Sequence, residues 1–483
     1  MQRTYIGEIE KHIGEEITIK GWIHVRRDQG KLIFFDFRDK TGFVQGVVLP
    51  KVDPELIETA TKCRPEFVVE VKGKVNARPE KNIQADKQNG TVELEILSMN
   101  ILNESLTPPY DLHADTREVG EETRLKYRYL DLRNERLQKN IRARHKITKL
   151  VRDIFDGEGF TEIETPLLTK STPEGARDFI VPSRLERGAF YALPQSPQQY
   201  KQLLMTAGFE KYFQFAKCMR DEDTRGDRQP EFTQLDIEMS FVEQEEIMAL
   251  TEKTLIEIVT KLYPEKKIQS IPFPRIPYAE AMEKYGIDRP DLREDKNDPN
   301  LLAFCWVVDF PFFERDEKQV FQGSDGLPRA GWTFTHNPFS AAQPAHRELL
   351  ANSTREDKDL EKILAAQYDI VLNGFEIGGG SIRNHEPEAL LKVFEILGHA
   401  RESVEKNFSH MLHAFKSGTP PHGGIAWGFD RLVMLLEGEP NIREVIPFPK
   451  TGEGRDPMME SPSQVSPEQL FELGIAVQKR EEK

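Results

Sequence analysis

Between Phe213 and Phe241 the sequence FQFAKCMRDEDTRGDRQPEFTQLDIEMSF packs Arg220, Asp221, Glu222, Asp223, Arg225, Asp227 and Arg228 into one turn between two alternating apolar runs. A core strand cannot bury that much charge. Two readings are open: a solvated loop, or a site for a ligand both anionic and cationic, such as a nucleotide beside an amino acid. Two other stretches carry the same kind of residue. GFTEIETPLLTKSTPEGARDF (159–179) passes from a helix end into an extended segment at Pro166, and GGIAWGFDRLVMLL (423–436) leads from a glycine-rich strand to Arg431 at the start of an apolar helix. A guanidinium offers two parallel donors to an oxyanion, so arginines in such places suit phosphate and carboxylate chemistry better than lysines. There is no Gly-x-x-x-x-Gly-Lys loop and no dinucleotide fingerprint after a strand, which sets aside the common phosphate-loop and dinucleotide classes.

These residues need elements to hold them. Residues 1–104 alternate apolar and polar in short runs, with Gly30 and Asp39-Lys40-Thr41-Gly42 at hairpin spacing and a helical patch at Pro54–Thr61. Five strands with a helix between the third and fourth is the order of a Greek-key OB barrel, which binds single-stranded nucleic acid on one sheet face. Arg26, Arg27, Phe34, Phe35 and Gln45 are the candidates there, and alternation allows only one of Phe34 and Phe35 to face the core. Phe34 is the expected stacking platform. Residues 105–136 are polar and without period, and read as a linker or hinge. Beyond them Leu137, Ile141, Ile147, Leu150, Val151, Ile154 and Phe155 recur at helical spacing. Strands and helices then alternate up to a last helix, opened by Ser466, Pro467 and Gln469 in a capping-box pattern.

The 483 residues carry a net charge of −15 and are 38% apolar, ordinary for a soluble globular chain of several domains. The charge is uneven. From Arg124 to Arg152 eleven Lys or Arg stand against Asp131 and Glu135. That stripe fits either local phosphate binding or a helix whose arginines pair with acidic neighbours. Cys63, Cys218 and Cys305 are odd in number and scattered, which excludes a disulfide framework and a cysteine zinc site and fits a reducing cytoplasm. No apolar run reaches membrane-spanning length.

The three charged stretches resemble motifs 1, 2 and 3 of the class II aminoacyl-tRNA synthetases. QSPQQYKQ (195–202), YDIVLNGFEIGGGSIR (368–383) and the N-terminal barrel narrow the resemblance to the bacterial type of aspartyl-tRNA synthetase, over essentially the whole chain. The resemblance implies an α+β fold: a five-stranded OB barrel at 1–104 binding the anticodon, then a class II catalytic domain at 137–483 with an antiparallel sheet flanked by helices. It implies that L-aspartate is activated by ATP and transferred to the 3′ end of tRNA-Asp, by a cytoplasmic homodimer with motif 1 at its interface. Catalytic roles fall on Arg220, Glu222 and Arg431. ATP contacts fall on Arg220, Asp221, Glu222, Gln229, Phe232 (under the adenine), Glu376, Gly428, Phe429, Asp430 and Arg431 (at the γ-phosphate), with Asp369 and Glu376 holding Mg²⁺. Arg383 would pair with the aspartate β-carboxylate, with Lys201 beside it and Asp236 orienting both cations. Glu174 and Gln198 would receive the α-ammonium, and His336 would lie near the substrate. Arg27, Phe34 and Gln45 would contact the anticodon. Glycines 378–380 would let backbone approach the ligand.

The chain departs from the pattern in three places. The usual insertion between motifs 2 and 3 is absent, leaving a short connection at 284–303; Met219 replaces a customary Phe; and Val25 stands where many relatives have a basic residue. Three rivals remain: a relaxed enzyme that also charges tRNA-Asn, a tRNA-independent ATP-dependent amino-acid ligase, and a non-catalytic RNA-binding paralogue.

Overall fold

The computed structural model describes residues 2–30, 32–50, 52–171, 176–224, 226–322 and 328–478. The chain divides into two compact units, residues 1–111 and 112–483.

In the smaller unit β1 (Glu16–Asp28), β2 (Ile33–Asp39), β3 (Gly42–Val48), β4 (Val68–Ala77) and β5 (Val92–Asn103) close a barrel in the order β1-β2-β3-β5-β4. The helix α1 (Pro54–Lys62) lies between β3 and β4 in sequence, as the turn pattern predicts. Asp53 caps it by accepting from the Glu55 amide at 2.9 Å, and Pro54 costs nothing at the first turn, where its amide would have no partner. Alternation sends Phe35 and Phe37 inward, fully buried with ring centroids 5.5 Å apart. Gly21 is obligatory: a Cβ there would fall 2.2 Å from the Arg38 carbonyl.

The larger unit is built on an eight-stranded sheet. Its elements in chain order are α2 (Glu135–Gly157), β6 (Thr161–Glu162), α3 (Gln198–Thr206), β7 (Lys211–Met219), β8 (Glu231–Ser240), α4 (Gln244–Leu262), β9 (Arg275–Pro277), β10 (Phe304–Val308), β11 (Gln367–Leu372), β12 (Phe375–Ile382), β13 (His422–Gly428) and α5 (Phe429–Glu437). The strand order is β9-β10-β11-β12-β13-β8-β7-β6. The expected antiparallel sheet holds from β10 to β7, but the outermost pairs, β9–β10 and β6–β7, run parallel. Parallel neighbours need a crossover, and intervening helical segments, α3 and Tyr278–Tyr285, are available to make one at each edge.

One face of the sheet packs under α2, α4 and α5, where Ile147, Val151, Phe155, Leu255, Ile258, Leu432 and Val433 meet Leu235, Ile237, Ile425, Trp427, Tyr368 and Ile370. The period of two then sends Asp236 and Glu238 of β8, and Asp369 of β11, to the opposite face. A second apolar cluster joins the hairpin Phe313–Gln322/Pro328–Phe334 to the helices at 387–415.

Residues 112–136, expected within a hinge, fall inside the larger unit and are partly helical, at Glu121–Lys126 and Arg128–Asp131. Arg124 is held bidentately by Glu444 at 2.9 and 2.8 Å and meets Asp131 at 3.1 Å; Arg128 meets Asp131 at 2.6 Å. Arg136 reaches Glu439 and Glu444, and Arg144 reaches Asp430. Of the two readings of the basic stripe, pairing with acidic neighbours is therefore the one that these residues follow. The last helix, Pro467–Leu473, opens with Ser466 and Gln469 in a reciprocal capping box.

Candidate active site

Arg383 follows β12 and is 3% exposed. Its Nε and Nη2 donate to Glu238 Oε1 and Oε2 at 2.9 and 3.0 Å, and Nη1 donates to Ser381 Oγ at 2.8 Å. A guanidinium has five N–H groups, so one remains on each terminal nitrogen for a further acceptor. Lys201 of α3 donates to Asp236 Oδ1 at 2.6 Å and lies 3.3 Å from Glu238 Oε2, which leaves its third N–H. Burial works against the charge on Glu238, but Arg383 and Lys201 outweigh it and hold the carboxyl below its ordinary range. At Asp236 burial wins over Lys201 and the carboxyl is pushed up. Two buried cations thus face two carboxylates, one of which resists ionisation, an arrangement that welcomes one further carboxylate. Glu238 was missing from the sequence expectation, which gave Asp236 the orientation of both cations. Asp236 holds Lys201, whereas Glu238 holds Arg383. Their spacing of two on a strand puts both on the same face, and that was the available signal.

The glycines make room for these carboxylates. A Cβ on Gly424 would fall 2.1 Å from Glu238 Oε2, and one on Gly379 would fall 2.8 Å from Asp369 Oδ1. Gly380 answers instead to the neighbouring strand, where a Cβ would lie 2.3 Å from the Gly424 carbonyl.

Asp369 is buried, and burial followed by repulsion from Glu376 raises its carboxyl well above the ordinary range. A buried carboxyl raised in this way beside a second acidic side chain fits a divalent cation, and Mg²⁺ characteristically takes one or two carboxylates and completes its shell with phosphate and water. Among the described residues no group of three or more metal-ligating side chains gathers, so Asp369 and Glu376 would hold Mg²⁺ only together with a phosphate ligand. His336 Nε2 lies 3.6 Å from Asp369 Oδ2 with its ring edge-on to Phe310, and burial lowers its pKa.

The charged turn sits above β7 and β8. Arg220 places its guanidinium 5.1 Å from the centroid of the Phe232 ring. Glu222 pairs with Arg228 at 2.9 Å, and Asp221 donates its amide to Arg177 O at 3.0 Å. Arg431 donates to the Glu376 carbonyl and, at 3.2 Å, to Asp227, a hairpin acid not anticipated as a partner. Arg220 Nε, Arg431 Nε and Asp236 Oδ2 are buried with no hydrogen bond among the described residues. Gln229 grips the Lys450 backbone at 2.7 and 3.1 Å.

Two expected ATP contacts are not brought to the site as side chains. Phe429 is 1% exposed, packed against Phe215 and Arg144. Asp430 accepts from the Thr233 amide at 2.8 Å and pairs with Arg144. Both anchor the start of α5 after Gly428. Glu174 lies outside the described residues.

In the barrel, Phe34 is half-buried on the outer face while Phe35 fills the core. Arg27 donates from both terminal nitrogens to Asp36 at 2.9 Å, and Gln45, the register partner of Asp36, accepts from Arg78 at 2.6 Å. Arg27, Phe34 and Gln45 thus gather around Asp36 on β1–β3.

Residues 120–452 match the family of class II tRNA synthetases (D, K and N), and residues 17–102 match the OB-fold nucleic acid binding domain. In fold the chain is similar to an asparaginyl-tRNA synthetase from Pyrococcus horikoshii (TM-score 0.73, 22% identity, 93% of this chain and 98% of that one) and to an aspartyl-tRNA synthetase from Entamoeba histolytica (TM-score 0.72, 23% identity, 93% and 91%). A class II synthetase catalytic unit with an OB barrel is what fold and site define. It is 40% identical to the aspartate–tRNA ligase of Macrococcus caseolyticus and 41% identical to the aspartate–tRNA(Asp/Asn) ligase of a Geobacillus strain, over 98% of this chain and of each relative. The chain belongs to the aspartate–tRNA ligase family.

Proposed function

We propose that this aspartate–tRNA ligase selects its amino acid by a carboxylate clamp at Arg383 and Lys201, and the observation that carries the reading is their buried pairing with Glu238 and Asp236. The α-carboxylate of L-aspartate attacks the ATP α-phosphorus; the new O–P bond forms as the bond to the β-phosphate bridging oxygen breaks, and pyrophosphate leaves. A hydroxyl of the 3′-terminal ribose of tRNA then attacks the carbonyl carbon, loses its proton, and AMP leaves with the anhydride oxygen. Two anions must meet in the first step, so cationic positioning matters more than a general base. Arg220 bridges the α-phosphate and the α-carboxylate, Arg431 holds the γ-phosphate end, and Glu222 steadies the turn through Arg228. Phe232 offers its ring to the adenine. Gln198, with Glu174, receives the α-ammonium, and His336 stays neutral at the rim. Mg²⁺, held by Asp369 and Glu376, would neutralise phosphate charge. Arg27, Phe34 and Gln45 read unstacked anticodon bases.

Leu167 and Leu168, half exposed just after edge strand β6, support a homodimer that covers motif 1. Alignment to the Macrococcus relative spans 601 positions against 483 residues, which supports a missing insertion. No described helix is long and apolar enough to cross a membrane. The test is aspartylation of separate tRNA-Asp and tRNA-Asn transcripts with ATP and labelled aspartate. Charging of tRNA-Asp is expected; charging of both marks the relaxed enzyme, and exchange of pyrophosphate with neither charged favours the tRNA-independent ligase.

A further inference from the structure

Beside the carboxylate clamp two side chains of α3 and one at the start of β13 form a hydrogen-bonded chain. Gln198 Nε2 donates to Gln202 Oε1 at 3.1 Å, Gln202 Nε2 lies 3.0 Å from His422 Nε2, and His422 Nδ1 lies 2.8 Å from the Pro420 carbonyl. Gln202 and His422 are fully buried, and Gln198 is 9% exposed. The polarity of this chain follows from its carbonyl end. A carbonyl only accepts, so the proton sits on Nδ1, and a neutral imidazole then presents a lone pair at Nε2. Gln202 must turn its NH₂ toward that lone pair. Its oxygen then faces Gln198, which must answer with its own NH₂. The Gln198 amide thus spends one Nε2 proton on Gln202 and turns Oε1, its acceptor, the other way.

We infer that His422 is a positioning residue: through Gln202 it fixes the orientation of the Gln198 amide so that Oε1 meets the substrate α-ammonium. This rests on the reading of Gln198 as the ammonium acceptor. The surroundings keep the imidazole neutral. Burial drives its pKa down to about 4; Glu238 and the Pro420 hydrogen bond push the other way, while Arg383 and His385 reinforce the fall. Arg383 also donates its amide to the His422 carbonyl at 2.9 Å, and the Phe415 ring lies 6.4 Å away. The relay therefore fixes the ammonium end of the substrate from the strand residue adjoining the arginine that fixes its carboxylate.

The experiment compares L-aspartate with succinate, which keeps both carboxylates and lacks the ammonium, by titration calorimetry on the full chain. Gln202→Met cuts the relay. It is expected to weaken aspartate about tenfold or more, the loss of a hydrogen bond to a charged group, while succinate stays within about twofold. Gln202→Glu still accepts from Gln198 and is expected to recover most of the aspartate affinity. His422→Phe should follow Gln202→Met. Parallel weakening of aspartate and succinate would overturn the inference, since general damage spares neither, and so would an unchanged aspartate affinity in Gln202→Met. Gln198→Met separates the two readings. If it leaves the aspartate-to-succinate ratio unchanged, Gln198 does not meet the ammonium; if it collapses the ratio while Gln202→Met does not, the relay alone is wrong.

Discussion

Arg383 spends its side-on edge on Glu238 and one Nη1 proton on Ser381, and keeps one N–H on each terminal nitrogen. Glu238→Gln removes one charge-assisted partner from a buried guanidinium and lets it swing. The expected outcome is a rise of at least roughly tenfold in KM for aspartate with little change in KM for ATP, read by aspartate-dependent pyrophosphate exchange; equal effects on both substrates would point to general disorder. Much of this site was legible in the residues. Arg220 and Arg431 stand in stretches whose residue types already suit anion chemistry, whereas Arg383, Lys201 and Asp236 come from the family resemblance, and the structure brings these three together. Glu238 was missed although its strand period was visible, because Asp236 offered a sufficient partner. Gln202 and His422 lie 220 positions apart, and no local pattern joins residues so far separated. Phe429 and Asp430, expected at ATP, use their side chains to anchor α5.

At the scale of elements, the segment 112–136 illustrates what composition hides. Its polar, aperiodic sequence reads as linker, but Arg124 and Arg128 are buried because carboxylates 7, 3 and 320 positions away meet them. Burial alone would raise the Glu444 pKa, but hydrogen bonds from Arg124 and Arg136 hold it down at about 2. Glu444→Gln is expected to destabilise the larger unit by roughly 3–5 kcal/mol, as when a buried pair loses one member, measured as a fall in Tm. The pH dependence has a definite sign. His422 titrates at about 4 when folded against 6.5 unfolded, so the unfolded chain takes its proton first and stability falls as pH drops between those values. Glu444 acts the same way lower down, its contribution fading as pH falls from about 4.5 to about 2. Acid unfolding followed by circular dichroism is expected to begin in the first window and steepen in the second. The barrel elements were easier to read, because Phe35 and Phe37 alternate cleanly with Phe34 and Asp36.

As a whole molecule the chain is two units with separate apolar cores, and the proposed function divides activation and the reading of RNA between them. Deleting residues 1–111 is expected to leave aspartate-dependent pyrophosphate exchange within a few-fold of the full chain. It is expected to lower tRNA charging by about two orders of magnitude, in line with stacking contacts worth about 1–3 kcal/mol per base. The most direct measurement is pyrophosphate exchange by the full chain with L-aspartate and with L-asparagine, side by side. An uncharged amide would leave the Arg383 and Lys201 donors poorly matched, so asparagine is expected to lag on the order of 10⁴-fold, the discrimination of a site whose buried polar groups need one partner. Comparable exchange with asparagine, or none with aspartate, would contradict the clamp.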